Sequence, residues 1–151
     1  MLNTVTDSTT IISDTVLTDH MHRAGIRPSV QRLAILGFVA NKRLHPTADE
    51  IYSALAPAYP TLSRTTVYNT LHALVAGGLL RELEIESGNR RYDYTHQEPH
   101  SHFMCRRCGH IYDIPVPPRI DHNTPAGFRI DTVDIYYKGL CPACFNDTIT
   151  N

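Results

Sequence analysis

All four cysteines of the 151-residue chain fall in two C-x-x-C pairs, Cys105/Cys108 and Cys141/Cys144. No other feature narrows the fold as much. Each pair offers two thiolates from one turn with little strain, and four thiolates fill the tetrahedral shell of a structural Zn(II). Such an ion closes a loop about as long as the module between the pairs. It thereby supplies stability that a small apolar core lacks. The spacing favours a zinc clamp over a redox dithiol or disulfides, because regularly spaced cysteines in a reducing compartment point to metal first. Four thiolates also leave no open coordination position, so no catalysis is expected at this clamp.

The length suits one average domain or two small ones. No run of about 18 apolar residues exists, so no membrane span or membrane partner is expected. The opening "MLNTVTDSTTIISDTV" lacks a basic start and a continuous apolar stretch, and the expected location is the cytoplasm. Net charge is −1, yet it is unevenly spread. Residues 21–91 hold nine Lys/Arg against five Asp/Glu, whereas residues 92–151 hold five against seven. A basic middle permits DNA binding without demonstrating it, since an ordinary solvated surface has the same balance.

Residues 1–16 are rich in Thr, Ser and Asp and read as a flexible arm. From Leu17 the pattern turns helical until Gly25 and Pro28 break it. Ser29 caps a second helix with Leu33, Leu36 and Ala40 on its apolar stripe. Thr47 and Glu50 have capping-box spacing ahead of a third, with Ile51 and Leu55 one turn apart. Ser63 caps a fourth, and Gly77-Gly78 stops it. Val67, Leu71, Leu74 and Val75 form its apolar face. The opposite face carries Arg64, Thr65, Tyr68, Asn69 and His72, with no acid. "LLRELEIES", the turn "GN" and "RRYDYT" read as a hairpin with a basic second strand. Helices followed by a hairpin are the order of a winged helix-turn-helix, with the fourth helix in the major groove. Residues 92–99 look like a connector. Beyond it, "HFMCRRCGHIYDI" reads as two short strands around a knuckle, "PVPPRIDHNTPAG" as Pro-rich loop, and "FRIDTVDIYYKGLC" as a strand before "CPAC".

With the thiolates satisfied by zinc, His100, His102 and Asp113 remain for a second site. The two histidines are two apart on an extended segment and share a side, and Asp113 returns on the paired strand. Asp93 and His45 can complete an N/O set that suits Fe(II), Mn(II) or Zn(II) rather than Cu(I). Bland readings stand beside these: His45 as a surface loop residue before proline, Asp93 as a turn or salt-bridge residue. His20, His22, His72, His96, His110 and His122 are read as ordinary histidines.

The motifs "RPSVQRLAIL", "HPTADEIYSAL", "SRTTVYNTLHALVAGGLL", "RYDY", "HSHFMCRRCGHIYDI" and "GLCPAC" resemble, in order, those of the ferric-uptake-regulator family of repressors. The resemblance covers about residues 17–146. It implies an α+β chain with a winged-helix DNA-binding domain over 17–95 and a small α/β dimerisation and zinc-binding domain over 96–151. It implies a homodimer on palindromic double-stranded operator DNA. It carries His45, Asp93, His100, His102 and Asp113 over to the family's regulatory Fe(II) or Mn(II) site. Cys105, Cys108, Cys141 and Cys144 match its structural zinc, and Tyr68, with Arg64 nearby, matches a tyrosine set against base methyl groups. Arg64, Arg90 and Arg91 are expected on phosphate or base edges, with Thr65, Tyr68 and Asn69 beside them.

Asp at both 93 and 113, where iron-uptake members commonly have Glu, is similar to the peroxide-sensing, PerR-like members. The last long strand holds no His, so an accessory site on it is not expected. The connector is a residue longer than the resemblance to those sensors implies, which leaves room for His96 or Glu98 near Asp93. The implied function is metal-dependent repression released when peroxide oxidises His45 or His100, with Mn(II) repressing without that response. No turnover is involved, so no enzyme is expected. A peroxide-blind iron-uptake repressor and a zinc-ribbon protein-interaction module are the alternatives.

Overall fold

The structure, a computed structural model, describes residues 10–86, 88–96, 100–115, 126–130 and 133–149. Contacts divide the chain into two compact units, Met1–His96 and Gln97–Asn151. Among the described residues no helix is long and apolar enough to cross a membrane.

The first unit is built from capped helices. α1 (Asp14–Arg23) starts under Ser13, whose side chain accepts from the Val16 N–H. This start lies three residues ahead of Leu17, where the apolar pattern begins, because a cap and an acidic first turn extend the helix beyond its buried stripe. α2 (Val30–Lys42) is capped by Ser29 and α4 (Arg64–Ala76) by Ser63. α3 (Ala48–Leu55) carries the full capping box, Thr47 and Glu50 bonding reciprocally. α4 ends at Gly77, and Gly78 turns left-handed with φ +73°. Gly77 is also a close approach, since a Cβ there would lie 2.7 Å from Ile26 Cδ1. β1 (Leu80–Glu86) and β2 (Asn89–Tyr94) follow as an antiparallel hairpin in which Arg81 faces Asp93 and Leu83 faces Arg91. Tyr92, Asp93 and Tyr94 belong to β2, as the hairpin reading of "RRYDYT" has them, and the connector does not begin at 92, because each of the three finds a partner on β1. Every residue of the buried apolar cluster lies between Leu17 and Tyr94.

The second unit is a three-stranded sheet in the order β4-β3-β5. β3 (His100–Cys105) pairs antiparallel with β4 (Ile111–Pro115) and parallel with β5 (Tyr136–Gly139). The strand expected over "FRIDTVDIYYKGLC" is shorter than its alternation suggests. The described residues 128–130 and 133–135 are not strand, because pairing with β3 spans Tyr136–Gly139 alone. α5 (Pro142–Ile149) adds to the expected elements. Pro142 at its first position is the available signal, since proline suits a helix start. Most of the Pro-rich loop, with His122, and Glu98 of the connector lie outside the described residues.

Candidate metal centres

The clamp grows from strand ends. Cys105 closes β3 opposite Gly139 at the end of β5. The Cys105 carbonyl oxygen accepts from the Gly109 N–H at 2.8 Å, and Gly109 turns the knuckle with φ +73°. Cys141 follows β5, and Cys144 sits on the first turn of α5. One ligand atom from each of the four cysteines lies within 4.8 Å of every other. Cys108 Sγ and Cys141 Sγ are 3.9 Å apart. A disulfide needs about 2.05 Å, whereas a tetrahedron of 2.3 Å Zn–S bonds has edges of about 3.8 Å. The thiols thus have the spacing of a tetrahedral metal shell.

Their ionisation is uneven across the set. Backbone N–H groups, first of Cys108 and then of Cys141, hold the Cys105 thiol down to about 6. The Cys141 N–H stands 3.3 Å from Cys105 Sγ. Cys141 is lowered, first by the Cys144 backbone N–H and then by the Tyr112 hydroxyl. Cys144 is pushed up to about 12, first by its hydrogen bond with Cys141. Tyr112 is likewise raised to about 12, first because it donates to Cys141. Donors thus favour the thiolate at Cys105 and Cys141, whereas Cys144 keeps its proton until a divalent cation displaces it.

The second set lies on β3 and β4. Asp113 is the cross-strand partner of His102, and His100, two residues earlier, shares the face of His102. Ser101 points the other way, buried, and donates to Ile114 O at 3.0 Å. Asp113 Oδ1 lies 3.5 Å from His100 Nε2 and 3.6 Å from His102 Nε2. These spacings exceed good N–H···O bonds and suit two donors sharing one cation at roughly 2.1 Å, which stand about 3.0–3.4 Å apart. The His102 ring also stacks on Tyr136 of β5, 6.0 Å between centroids, which limits its rotation.

In the first unit, His45 is 2% exposed and has φ +48°, a left-handed backbone rare for a side chain before proline. Three contacts to β2 hold it. Arg91 Nη1 donates to His45 O at 3.1 Å, the Tyr92 N–H donates to Pro46 O at 3.0 Å, and Thr47 bridges to Arg91. His45 Nε2 then stands 3.7 Å from Asp93 Oδ1. Asp93 Oδ2 accepts from Arg81 Nε at 3.0 Å and Nη2 at 2.8 Å. His45 is therefore not a surface residue, and Asp93 is in an ion pair. Arg81 drew no notice from the sequence, because counting across a two-residue "GN" turn sets Glu84 opposite Asp93; the actual register, shifted between Leu83 and Glu86, brings Arg81 there instead.

The basic residues divide. Thr65, Tyr68 and Asn69 are exposed on α4, with Tyr68 at 52%. Arg64 pairs with Asp49 and lies 4.5 Å over the Tyr52 ring. Arg90 is exposed, 3.4 Å from Glu82. Arg91 turns inward to His45 O and to Glu50 at 3.5 Å. Of the histidines read as ordinary, His20 and His96 stack 4.4 Å apart, and His20 Nδ1 meets the Tyr94 hydroxyl at 2.6 Å. Burial, then His20 and Arg23, lowers the His96 pKa.

Capped helices and a wing, followed by a small unit with a four-cysteine set and a His/Asp set, are the build of a metal-dependent regulator. Residues 23–137 match the ferric uptake regulator family and the chain belongs to it, a family of transcription regulators rather than enzymes. It is 37% identical over 131 residues to the peroxide-responsive repressor PerR of Staphylococcus aureus strain Mu50, covering 82% of this chain and 86% of that protein. In fold it is similar to the Helicobacter pylori ferric uptake regulator Fur, a structure described as revealing three functional metal binding sites. The TM-score is 0.72 at 21% identity, covering 89% of this chain and 95% of that one. The Vibrio cholerae ferric uptake regulator is similar with TM-score 0.67 at 20% identity, covering 83% and 99%.

Proposed function

We propose that the chain is a metal-dependent repressor that binds palindromic operator DNA as a homodimer and responds to peroxide. The observation that carries this reading is the convergence of His100, His102 and Asp113 on one sheet face, the Asp113 oxygen 3.5 and 3.6 Å from two imidazoles. His45 and Asp93 complete the regulatory ligand set we propose, and the four cysteines hold Zn(II). Bound Fe(II) or Mn(II) supplies charge that neutralises these carboxylates, and Fe(II) also supplies the electrons that activate peroxide.

Residues 17–95 read DNA, with Tyr68 and Thr65 against thymine methyls and Arg64, Asn69 and Arg90 on phosphate or base edges, while Arg91, turned inward to His45 O, seats the loop before α3 rather than DNA. Residues 96–151 dimerise. Phe128, Ile130, Val133, Phe145 and Ile149, all exposed in the single chain, fit a second copy as partner. The ligand residues report the metal by favouring one arrangement of a pre-existing equilibrium. Peroxide adds one oxygen to an imidazole carbon of His45 or His100 while its other oxygen leaves as water. The altered ring is a poorer ligand, and the operator is released.

Protein purified without air, loaded with Fe(II) and treated with peroxide is expected to gain a single oxygen on peptides holding His45 or His100. Operator binding, measured by gel shift on the same sample, is expected to fall. Fe(II)-dependent operator binding without oxygen gain marks a peroxide-blind iron-uptake repressor instead. Absence of operator binding with every metal overturns the repressor reading.

A further inference from the structure

Within the ligand set just proposed, Asp93 is shared with a cation of the chain itself. Arg81 and Asp93 face each other across the wing hairpin. Two contacts of the guanidinium fork end on one oxygen, Oδ2, from Nε at 3.0 Å and Nη2 at 2.8 Å. The other oxygen, Oδ1, is turned to His45 Nε2 at 3.7 Å. Asp93 is 3% exposed while the Arg81 side chain is 33% exposed, so the contact is largely withdrawn from solvent on the carboxylate side. The two carboxylate oxygens therefore have different neighbours, fixed by strand register.

We infer that Arg81 is a specificity-determining residue of the regulatory site: it reserves Oδ2, restricts Asp93 to one-oxygen ligation through Oδ1, and weakens the site's hold on divalent cations. Charge-assisted hydrogen bonds are roughly twice as strong as neutral ones, so a cation that would take Oδ2 competes against two of them. With Oδ2 held, Asp93 cannot close on a cation with both oxygens, and one coordination position is left for a small ligand such as peroxide. The guanidinium also offsets one negative charge of the ligand set, which lowers its attraction for any divalent ion. In metal-free protein the same pair keeps the buried carboxylate compensated. This inference rests on the proposed ligand set.

The test is titration of zinc-replete, full-length dimer with Mn(II), following free Mn(II) by electron paramagnetic resonance. Arg81→Met is expected to bind Mn(II) more tightly, on the order of tenfold, the scale of a lost charge-assisted hydrogen bond. A residue needed only for folding would weaken binding when removed. Arg81→Lys, which keeps a cation but loses the fork, is expected to lie between wild type and Arg81→Met, and it carries the test if Arg81→Met does not fold. At equal Fe(II) occupancy both variants are expected to gain oxygen on His45 or His100 more slowly with peroxide. Unchanged or weaker Mn(II) binding in both variants overturns the role of Arg81. Asp93→Asn separates the two readings. If it leaves Mn(II) binding unchanged, the ligand set is wrong; if it weakens binding while the Arg81 variants do not tighten it, only the Arg81 inference falls.

Discussion

Between Leu17 and Tyr94 the chain buries one continuous apolar cluster, to which α1, α2, α3, α4 and both wing strands contribute. Among the described residues after His100, the buried hydrophobic side chains are Cys105, Ile111 and Cys141, while Phe128, Phe145 and Ile149 stand exposed. The first unit is held by area removed from water, as helices packed on a common core are. Among its described residues the second has little such area, and its four cysteines stand at the spacing of a metal shell. The residues that do most for the second unit's stability are therefore its four cysteines, of which Cys108 and Cys144 are not buried, so a reading by hydrophobic burial alone misses half of the clamp.

The sharpest way to break this contrast is to empty the clamp. Cys141→Ser, or zinc removal by a strong chelator, is expected to unfold the second unit, because structural zinc binding contributes roughly 10–16 kcal/mol of apparent free energy in small domains. Amide exchange should show β3, β4 and β5 losing protection while α2 and α4 keep theirs. Joint loss in both units would show that the first leans on the second. Acid sharpens the same point. Zinc binding requires thiolates, so lowering the pH is expected to release zinc and to unfold the second unit while the first keeps its protection. Zinc release against pH, followed with a chromophoric chelator, checks this.

A core deletion probes the other unit. Leu71→Ala, at a fully buried position of α4, is expected to cost about 2–5 kcal/mol and to lower the melting of the first unit with zinc content unchanged. The smallest expected effect is at the α3 cap. Thr47→Ala removes a side-chain bond to the Glu50 N–H at 3.2 Å and is expected to cost about 1 kcal/mol by denaturant titration. A larger loss would show that the Thr47–Arg91 bridge, and with it the seat of His45, depends on the cap.

The helix starts at Ser29, Thr47 and Ser63 were legible because a cap and its partner are three residues apart. The four-cysteine set and the His100/His102/Asp113 face were legible for a similar reason, spacing within a turn or along one strand. The length of β5 was not, because residue alternation shows which side chains share a face and not which residues find a hydrogen-bonding neighbour. α5 escaped notice because "CPAC" also reads as a ligand turn, and its helix shows only once residues beyond Cys144 are followed. Arg91 reads as a wing cation in the sequence, yet its guanidinium turns to the His45 carbonyl, a contact 46 residues away along the chain.

Thiolate pairing, helix caps and the alternation that sets two imidazoles on one side are relations between near neighbours, and residue identities alone settle them. The positive φ of His45, the engagement of one Asp93 oxygen by Arg81 and the inward turn of Arg91 were decided by tertiary structure. Each depends on how β1 and β2 register and on where the loop before α3 lands on them. Many chain conformations satisfy the local rules, and long-range packing selects among them.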